Sequence, residues 1–383
     1  MKIFVVGGGV SGLVSAIICA RRGDDVIVAE SNSRVCKKLL MTGGGRCNIK
    51  NADESCEKYK NKDFVKKCFT DAAKQRYADF LDECGIFLSC PDEEGRVYPV
   101  TYSANTVCDA LRLNASRCGV KIICDCHVFA VEQQCDGYLA KTTKGDYFAD
   151  RVIVATGSRS QAAQTDIERI IDKKYLTATS PSLTPLKIKN PSGLLAGTRA
   201  RANVKLFKNN RFVAEEKGEV LFRDFGISGI CALNISRFIA RARVAGDAAK
   251  FDLYLDLLPD FDTDKLTSIL NKRTKDGYDA NDLFVGLLPN KLSEYVLKTT
   301  ERTPQKLAEK VKNLMFFDAE VTDYSLSQVT CGGVDTKYLD GNFRLPNGIA
   351  VTGEAVDVDG PCGGYNLYFA FVSGIIAADG ITK

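Results

Sequence analysis

The N-terminal stretch KIFVVGGGVSGLVSAIICARRGDDVIVAE constrains the fold more than any other part of the sequence. An apolar run at residues 3–6 predicts a buried strand, residues 13–20 predict a helix, and residues 25–29 predict a second strand. Between the first strand and the helix, three glycines match the pattern G-x-G-x-x-G: Gly7, Gly9 and Gly12. The stretch therefore predicts a βαβ unit and an α/β fold with a Rossmann-like parallel sheet.

The same stretch predicts a nucleotide site. Its glycines allow a tight turn and let a pyrophosphate approach the N–H groups at the N-terminus of the helix. Glu30 follows the second strand, where its carboxylate can accept hydrogen bonds from both hydroxyls of an adenosine ribose and would repel a 2′-phosphate. A structural glycine turn is the alternative for the glycines alone, but the strand, the helix and the acid at matching offsets favour a nucleotide.

Composition excludes several other classes of protein. The chain has 383 residues, 45% of them hydrophobic, and a net charge of +4, which indicates a globular protein of two or three units. Neither an export signal nor a membrane-spanning segment is predicted. Twelve of the fifteen cysteines precede residue 136 and none forms a C-x-x-C pair, so we expect reduced thiols in the cytoplasm. With His127 as the single histidine, neither a zinc site nor a histidine-based triad is expected.

A stretch near the C-terminus, NGIAVTGEAVDVDGPCGGYNLYFAFVSGIIAADG, predicts the second half of the site. Residues 349–352 have the pattern of a strand, Gly353 and Glu354 follow it, and residues 363–378 have the pattern of an apolar helix. In FAD proteins an acid after such a strand contacts the ribityl chain. The N-terminus of the helix would stabilise negative charge on a reduced flavin by about 0.3–2 kcal/mol. A loop before a buried helix is the alternative.

A further strand within residues 150–160, DRVIVATGSRS, ends in Thr156 and Gly157. This turn is similar to the one that passes near the FAD pyrophosphate in flavoproteins with two dinucleotide-binding folds, with an ordinary strand-to-loop glycine as the alternative.

The loop MTGGGRCN, residues 41–48, carries several candidate side chains. Its glycines would let the backbone approach a ligand. Arg46 has a bidentate partner in the FAD diphosphate, with solvation at the surface as the alternative. Cys47 is either a reactive group or a residue chosen for its small size. Asn48 is expected to hydrogen-bond to the cofactor or the cleft, and Lys38 adds positive charge just upstream.

The middle of the chain predicts an insertion. ANVKLFKNN and RFVAEEKGEVLFRD alternate as antiparallel strands do, and DTDKLTSILNKR, DANDLFVGLLPNKLSEYVLKTT and TPQKLAEKVKNLM have helical spacing. We therefore predict four segments: a first part of the FAD-binding domain at 1–180, an inserted β-rich substrate domain at 181–260, a small helical subdomain at 261–316 and a second part of the FAD-binding domain at 317–383. Within the first part, residues 51–110 are predicted to form an excursion with helices in 63–84 and a hairpin at CPDEEGRVYPV.

Five motifs, in order along the chain, carry a family resemblance: KKLLMTGGGRCNIKN, GRVYPVTYSANTVCDAL, GEVLFRDFGISGICALNISRF, VTCGGV and GEAVDVDGPCGGYNLYFAF. The chain resembles the BaiN-type flavoproteins, also called aminoacetone-oxidase-like NAD(P)/FAD-dependent oxidoreductases. The resemblance spans nearly the whole chain and implies FAD as the cofactor. Members have been linked to reduction of conjugated double bonds in bile-acid intermediates, to aminoacetone oxidation and to dihydrouridine formation in ribosomal RNA.

The chain departs from the family pattern at two places. Arg223-Asp224 stands where relatives commonly have Thr-His or Thr-Asp, and Tyr368-Phe369 stands where many have Gln-Trp. Because the chain has no tryptophan, tyrosine and phenylalanine must flank the flavin or the substrate.

The motifs and the resemblance together imply a set of cofactor-binding residues: Gly7, Gly9, Val10, Ser11, Gly12, Glu30, Lys38, Gly44, Gly45, Arg46, Cys47, Asn48, Val128, Thr156, Gly157, Gly353, Glu354, Asp359, Gly363, Gly364, Tyr365, Asn366 and Leu367. The candidates for chemistry are Tyr365, Arg223 and Cys47. A tyrosine, whose pKa is ordinarily about 10, suits proton donation to an enolate, with structural packing as the alternative.

The expected function is that of an FAD-dependent oxidoreductase. No second G-x-G-x-x-G has a strand before it and a helix after it, so NAD(P)H would visit the flavin transiently from an open cleft. We predict hydride transfer from NAD(P)H, through flavin N5, to an activated, enone-like C=C bond of a small molecule.

Three alternatives stay open. One is a flavin amine oxidase with an aminoacetone-like substrate and O2 as acceptor. Another is flavin-dependent reduction of uridine in ribosomal RNA, for which the basic clusters TRARANVKLFKNNR and RFIARAR could provide a nucleic-acid face. The last is a flavin-binding redox sensor. No membrane contact is expected, and the sequence does not predict the oligomeric state.

Overall fold

The computed structural model of the chain describes residues 1–159 and 167–381. The chain forms two compact units, one made of Met1–Thr179 with Val329–Lys383 and the other of Ser180–Gln328. Each unit contains its own cluster of buried apolar side chains. The predicted α/β fold with a Rossmann-like sheet is confirmed.

The first unit is built on a five-stranded parallel sheet. Its strands, in spatial order, are Ala350–Val351, Arg151–Val154, Lys2–Val6, Asp25–Ala29 and Lys121–Ile123. The strand Lys2–Val6 lies at the centre and is buried from Ile3 onward, as the apolar run predicts for a strand covered on both faces.

Helices cover this sheet. Those described in the first unit are Val10–Arg21, Lys62–Cys68, Asp71–Glu83, Ala104–Arg117, Ile167–Ile170 and Tyr365–Gly380. The first and last of them pack together, and Ser15 Oγ donates to Gly374 O across their interface (2.8 Å). A β-carbon on Gly374 would lie 2.7 Å from Ser11 O, so glycine permits this close approach.

Two small antiparallel sheets complete the first unit. One pairs Lys50–Asn51 with Arg96–Val97, and the other contains Val128–Gln134, Gly137–Thr142 and Gly145–Ala149. A hairpin is present where it was predicted, because Ser89 N–H donates to Tyr98 O (2.8 Å). The helical region predicted at 63–84 is divided in two, since Thr70 is extended and its side chain caps the second helix by accepting from Ala73 N–H (3.2 Å).

The second unit combines a seven-stranded antiparallel sheet with helices. The strands, in spatial order, are Leu314–Phe316, Phe251–Asp256, Arg199–Lys208, Arg211–Phe222, Gly226–Ser228, Leu186–Lys187 and Glu320–Val321. The helices described here are Ile230–Val244, Thr263–Lys275, Asn290–Thr299 and Pro304–Lys312. Strands and helices contribute to one shared core. Residues 317–328 also lie in this unit.

One predicted helix is only half formed. Residues 280–287 form turns, and the helix Asn290–Thr299 begins directly after Pro289. Proline lacks a backbone N–H and disfavours helical conformation in the residue before it, so the apolar spacing upstream does not extend the helix.

Among the described helices, none combines the length and apolar composition needed to cross a membrane.

Candidate active site

The carboxyl ends of four parallel strands lie at one level. Val6 is the register partner of both Ala29 and Val154, and Val351 pairs with Val154. Residues that directly follow these strands therefore share one rim of the sheet. In spatial order this rim carries residues 352–354, 155–158, 7–12 and then residue 30, which is the sequence of contacts an extended dinucleotide needs.

The three glycines of the G-x-G-x-x-G turn have different surroundings. Gly7 has a φ of 107°, and a β-carbon on it would lie 2.4 Å from Ala155 O. A β-carbon on Gly12 would lie 2.0 Å from Gly7 O, so this glycine lets the helix approach the strand. Apart from Gly9 itself and its two chain neighbours, no described residue has an atom within 4 Å of the β-carbon position of Gly9. That open space is what the close approach of a pyrophosphate requires.

Glu30 is buried and held in position by hydrogen bonds. Its Oε2 accepts from Gly8 N–H (2.7 Å), and its Oε1 accepts from Asn32 N–H (2.8 Å) and Asn32 Nδ2 (2.6 Å). Because each carboxylate oxygen has about two lone-pair sites, acceptor capacity is left for a ribose hydroxyl. The backbone therefore orients the acid before any nucleotide arrives.

At the other end of the rim, Glu354 is the centre of a polar network. Its Oε1 accepts from Ser158 Oγ (2.7 Å) and Thr330 N–H (3.2 Å), and its Oε2 forms an ion pair with Lys38. Lys38 Nζ also approaches Ser158 Oγ (3.4 Å). A cavity of about 330 Å³ adjoins this network, lined in part by Gly157, Ser158, Thr330 and Glu354.

Two buried hydroxyls on the same rim lack partners in the described part of the chain. These are Thr156 Oγ1 and Thr352 Oγ1, and a third, Thr330 Oγ1, lies at the cavity wall. Buried polar groups are normally hydrogen-bonded, so orphaned hydroxyls at the ends of these strands fit a polar ligand that the chain itself does not supply. With the open space above Gly9, they fit the diphosphate and ribityl portions of FAD.

The glycine loop is strongly turned. Gly43, Gly44 and Gly45 all have positive φ values of 57°, 65° and 84°, and Cys47 follows with 61°. The Cys47 side chain is fully buried, and burial raises the pKa of its thiol to about 12, with a hydrogen bond to Thr42 acting in the opposite direction. A buried, neutral thiol suits a packing role better than a reactive one.

Arg46 points away from the loop interior. It is exposed, its guanidinium carbon lies 5.5 Å from the ring centroid of Tyr98, and its Nε donates to Gly43 O (3.3 Å). The ring therefore supports the guanidinium at the surface.

Asn48 connects the glycine loop to the start of the C-terminal helix. In the amide orientation that satisfies its hydrogen bonds, Nδ2 donates to Val97 O (3.1 Å) and Lys50 O (3.0 Å), and Oδ1 accepts from Gly364 N–H (3.2 Å). Gly364 has a φ of 99°, and a β-carbon on it would lie 2.4 Å from Lys50 C. Asn51 Nδ2 donates to Gly363 O (3.1 Å), so both glycines are tied to residues 48–51.

Tyr365 opens the C-terminal helix and is buried. Its hydroxyl lies 3.4 Å from Asp53 Oδ2, and its carbonyl accepts from Tyr59 OH (2.9 Å). Asn366 folds back, donating from Nδ2 to Gly360 O (2.9 Å) and accepting from Gly360 N–H (2.8 Å) at Oδ1.

The remaining predicted residues lie in varied positions. Val10 and Ser11 are buried in the first turn of the helix Val10–Arg21, and Leu367 is half-buried. Val128 is buried and pairs with Thr142. Arg223 belongs to the second unit, where it is exposed and its N–H donates to Gly226 O (2.8 Å).

The segment Tyr59, Lys60 and Asn61 was missed by sequence reasoning. Lys60 Nζ binds both carboxylate oxygens of Asp357 (2.6 and 2.9 Å) and lies 3.5 Å from Cys331 Sγ, and Lys60 N–H donates to Asp359 O (2.9 Å). Asn61 Nδ2 donates to Asp357 O (2.6 Å). These three consecutive residues hold the loop that leads from Glu354 to the C-terminal helix. The sequence carries no local signal for contacts across some 300 positions.

Burial of Lys60 by itself lowers its pKa. The neighbouring acidic groups, Cys331 and Asp357, outweigh this effect and raise the pKa above its ordinary value. Lys60 is therefore a half-buried cation at neutral pH, paired with the buried Asp357.

Comparisons with known proteins match nearly the whole chain. A family model described as the HI0933-like protein Rossmann domain matches residues 1–380. The 3-dehydro-bile acid delta(4,6)-reductase of Clostridium scindens is 30% identical over an alignment of 404 positions that covers 98% of each chain. The ribosomal RNA dihydrouridine synthase of Haemophilus influenzae is 26% identical over 407 positions, covering 99% of this chain and 98% of that protein. The synthase of the same name from Escherichia coli is 24% identical over 403 positions, covering 96% and 95%.

Proposed function

Because this chain belongs to the HI0933-like Rossmann-domain family, we propose that it reduces an activated, enone-like C=C bond with NAD(P)H as donor. It is an FAD-dependent oxidoreductase, as its resemblance to BaiN-type flavoproteins predicted. The relative named as a bile acid reductase supports a small molecule with a conjugated double bond as the substrate class. Bound FAD supplies the two-electron chemistry at N5 of its ring.

The observation that carries the cofactor assignment is the row of groups along the carboxyl rim of the parallel sheet. Glu30 would hold the adenosine ribose, the open backbone at Gly9 would face the diphosphate, and Glu354 would contact the ribityl chain. Lys38 would then exchange part of its contact with Glu354 for the diphosphate charge.

Tyr365 is the candidate for proton delivery. Its hydroxyl can donate a proton and lies 3.4 Å from Asp53 Oδ2, and Asp53 is exposed. A proton donated to substrate from this hydroxyl could thus be replaced from water by way of Asp53. Cys47 is less suited because its thiol is fully buried.

Reduction of uridine in ribosomal RNA is the second candidate, favoured by the two relatives named as dihydrouridine synthases. The charges of the second unit argue against it. On the strand Arg199–Lys208, Arg199 forms an ion pair with Glu219 (2.5 Å) and Lys208 forms one with Asp247. The second basic cluster is also compensated, since Arg243 pairs with Glu320 (2.5 Å). RNA binding needs basic side chains that are available to phosphates, and Arg199, Lys208 and Arg243 are instead held by carboxylates.

Anaerobic stopped-flow absorbance of the flavin-loaded protein tests the proposal. We expect NADH or NADPH to bleach the flavin and an α,β-unsaturated ketone to restore its colour without O2. Rapid bleaching by aminoacetone alone, with recovery only in O2, would replace the reductase assignment with an amine oxidase. A flavin that no nicotinamide or amine bleaches would indicate a redox sensor.

A further inference from the structure

Two tyrosines beside the glycine loop form a stacked pair. The rings of Tyr98 and Tyr102 lie 5.3 Å apart at an interplanar angle of 26°. Tyr98 is only 5% exposed, whereas Tyr102 is 51% exposed. One ring is therefore anchored in the protein, and the other is presented to solvent with its orientation fixed by stacking.

The backbone at Tyr102, the exposed tyrosine, has a strained conformation. Its φ is +49°, a region that a bulky side chain rarely occupies and that costs on the order of 1–3 kcal/mol. A turn stabilises it, because Tyr102 N–H donates to Pro99 O (2.8 Å). The helix Ala104–Arg117 begins two residues later and limits the freedom of this turn.

Arg46 supplies positive charge at the same place. Its guanidinium lies over the ring of Tyr98, and only its Nε is engaged, with Gly43 O. Its two terminal amino groups form neither a hydrogen bond nor an ion pair with the described residues. A guanidinium fork held in this way is suited to a phosphate.

Exposed apolar side chains lie in the segments that carry the tyrosines and Arg46. Met41, Phe87 and Val100 are each more than half exposed, and Val100 N–H donates to Phe87 O (2.9 Å). Such side chains are costly to leave in water unless something covers them.

The pair also adjoins the proposed flavin site. The β-carbon position of Gly43 is 3.8 Å from Tyr98 Cε1 and 3.1 Å from Asn48 N, and Asn48 accepts from Gly364 N–H. Gly43 and Asn48 thus connect Tyr98 to Gly364, which precedes the C-terminal helix.

We propose that Tyr102, Tyr98 and Arg46 form a binding site for the donor NAD(P)H, in which a heteroaromatic ring of the dinucleotide stacks on Tyr102 and a phosphate binds Arg46. The inference rests on the proposed function, because NAD(P)H is the donor there. It assigns the Arg46 guanidinium to the visiting nucleotide instead of the FAD diphosphate. Stacking on an exposed aromatic ring and a charged fork are the two features that nucleotides use in other sites.

Isothermal titration of the flavin-loaded protein with AMP, NAD⁺ and NADP⁺ tests the site without turnover. Tyr102→Ala should weaken binding of AMP or the dinucleotides by about 5- to 150-fold, the range of a lost stacking contact, whereas Tyr102→Phe should stay within about twofold. Arg46→Gln should weaken AMP but not adenosine. Tyr278→Ala is the matched control, since Tyr278 is also a half-exposed tyrosine with an arginine, Arg273, over its ring (5.4 Å).

The outcomes separate this site from the proposed function. Unchanged affinity in Tyr102→Ala, with NADPH still bleaching the flavin, overturns the site and leaves the reductase assignment intact. Binding that depends on Tyr102 without any bleaching supports the site and contradicts the reductase assignment. A uridine-rich oligonucleotide that displaces NADP⁺ from Tyr102, with affinity falling steeply in salt, overturns the choice of NAD(P)H as occupant.

Discussion

Gly9 and Gly12 differ in what an added methyl group would meet. Gly9 has an extended conformation that alanine adopts readily and open space around its β-carbon position, whereas a β-carbon on Gly12 would lie 2.0 Å from Gly7 O. We expect Gly9→Ala to keep the melting temperature of the flavin-free protein but to weaken FAD binding about tenfold or more, or at least 1.4 kcal/mol. Gly12→Ala should lower the melting temperature itself.

Flavin fluorescence titration and thermal unfolding of the flavin-free protein measure the two effects separately. Equal FAD affinity in Gly9→Ala and the unmodified chain would show that no diphosphate approaches this turn.

The alternatives that the sequence left open at Cys47 and Arg46 depend on side-chain direction. A local pattern shows that a small residue and a cation lie after three glycines. It does not show that the thiol faces the core while the guanidinium lies on Tyr98, more than 50 positions away. Tertiary packing decides both.

At the scale of elements, the segment Tyr59–Lys60–Asn61 stabilises the loop before the C-terminal helix through an ion pair between the half-buried Lys60 and the buried Asp357. Lys60→Met would leave Asp357 buried without its cation, and removal of one partner from such a pair costs about 3–5 kcal/mol. We expect that loss in the free energy of unfolding, measured with urea at pH 7. The double variant Lys60→Met/Asp357→Asn should recover part of it, because no buried charge remains.

Lys62→Met is the matched control. Lys62 lies two positions after Lys60 and forms an ion pair with Glu57 (2.6 Å) in which both side chains are more than half exposed. Its loss should therefore leave the free energy of unfolding nearly unchanged. Equal effects of the two lysine variants would contradict a special role for Lys60.

Elements specified by short-range pattern were predicted well. The strand Asp25–Ala29 has the predicted bounds, and the helix Val10–Arg21 exceeds its prediction by a turn or less at each end. The strands Arg199–Lys208 and Arg211–Phe222 form the expected antiparallel pair. The prediction of a helix was wrong for the residues before Pro289, which form turns because proline disfavours helical conformation in the residue before it. It was silent on Lys60, since the partner Asp357 lies 297 positions away.

At the scale of the whole molecule, buried thiols make stability depend on alkaline pH. Burial raises the pKa of Cys19 and Cys47 to about 12, and that of Cys68, Cys84 and Cys231 to about 11, from an ordinary value near 9. Unfolding above pH 9 therefore releases protons that the folded chain retains. Stability should be constant with respect to these groups below pH 9 and fall as pH rises from 9 toward 11.

Thermal melts by circular dichroism between pH 8 and pH 10.5 measure this fall. The variant Cys19→Ala/Cys47→Ala should show a shallower slope than the unmodified chain, and Cys90→Ala/Cys135→Ala, which changes two exposed cysteines, should not. The same slope in all three proteins would contradict a contribution from the buried thiols.

The common level of the strand ends has a consequence for how the length of this chain can vary in evolution. Val6, Ala29, Val154 and Val351 lie side by side, and the residues after them share one rim of the sheet, where we propose that FAD binds. One extra residue inside any of these strands would move its rim residue by about 3.3 Å and turn its side chains to the other face. Insertions are therefore tolerable at the opposite end of the sheet, as in the turn around Gly23, and the rim tolerates changes of residue far better than changes of length.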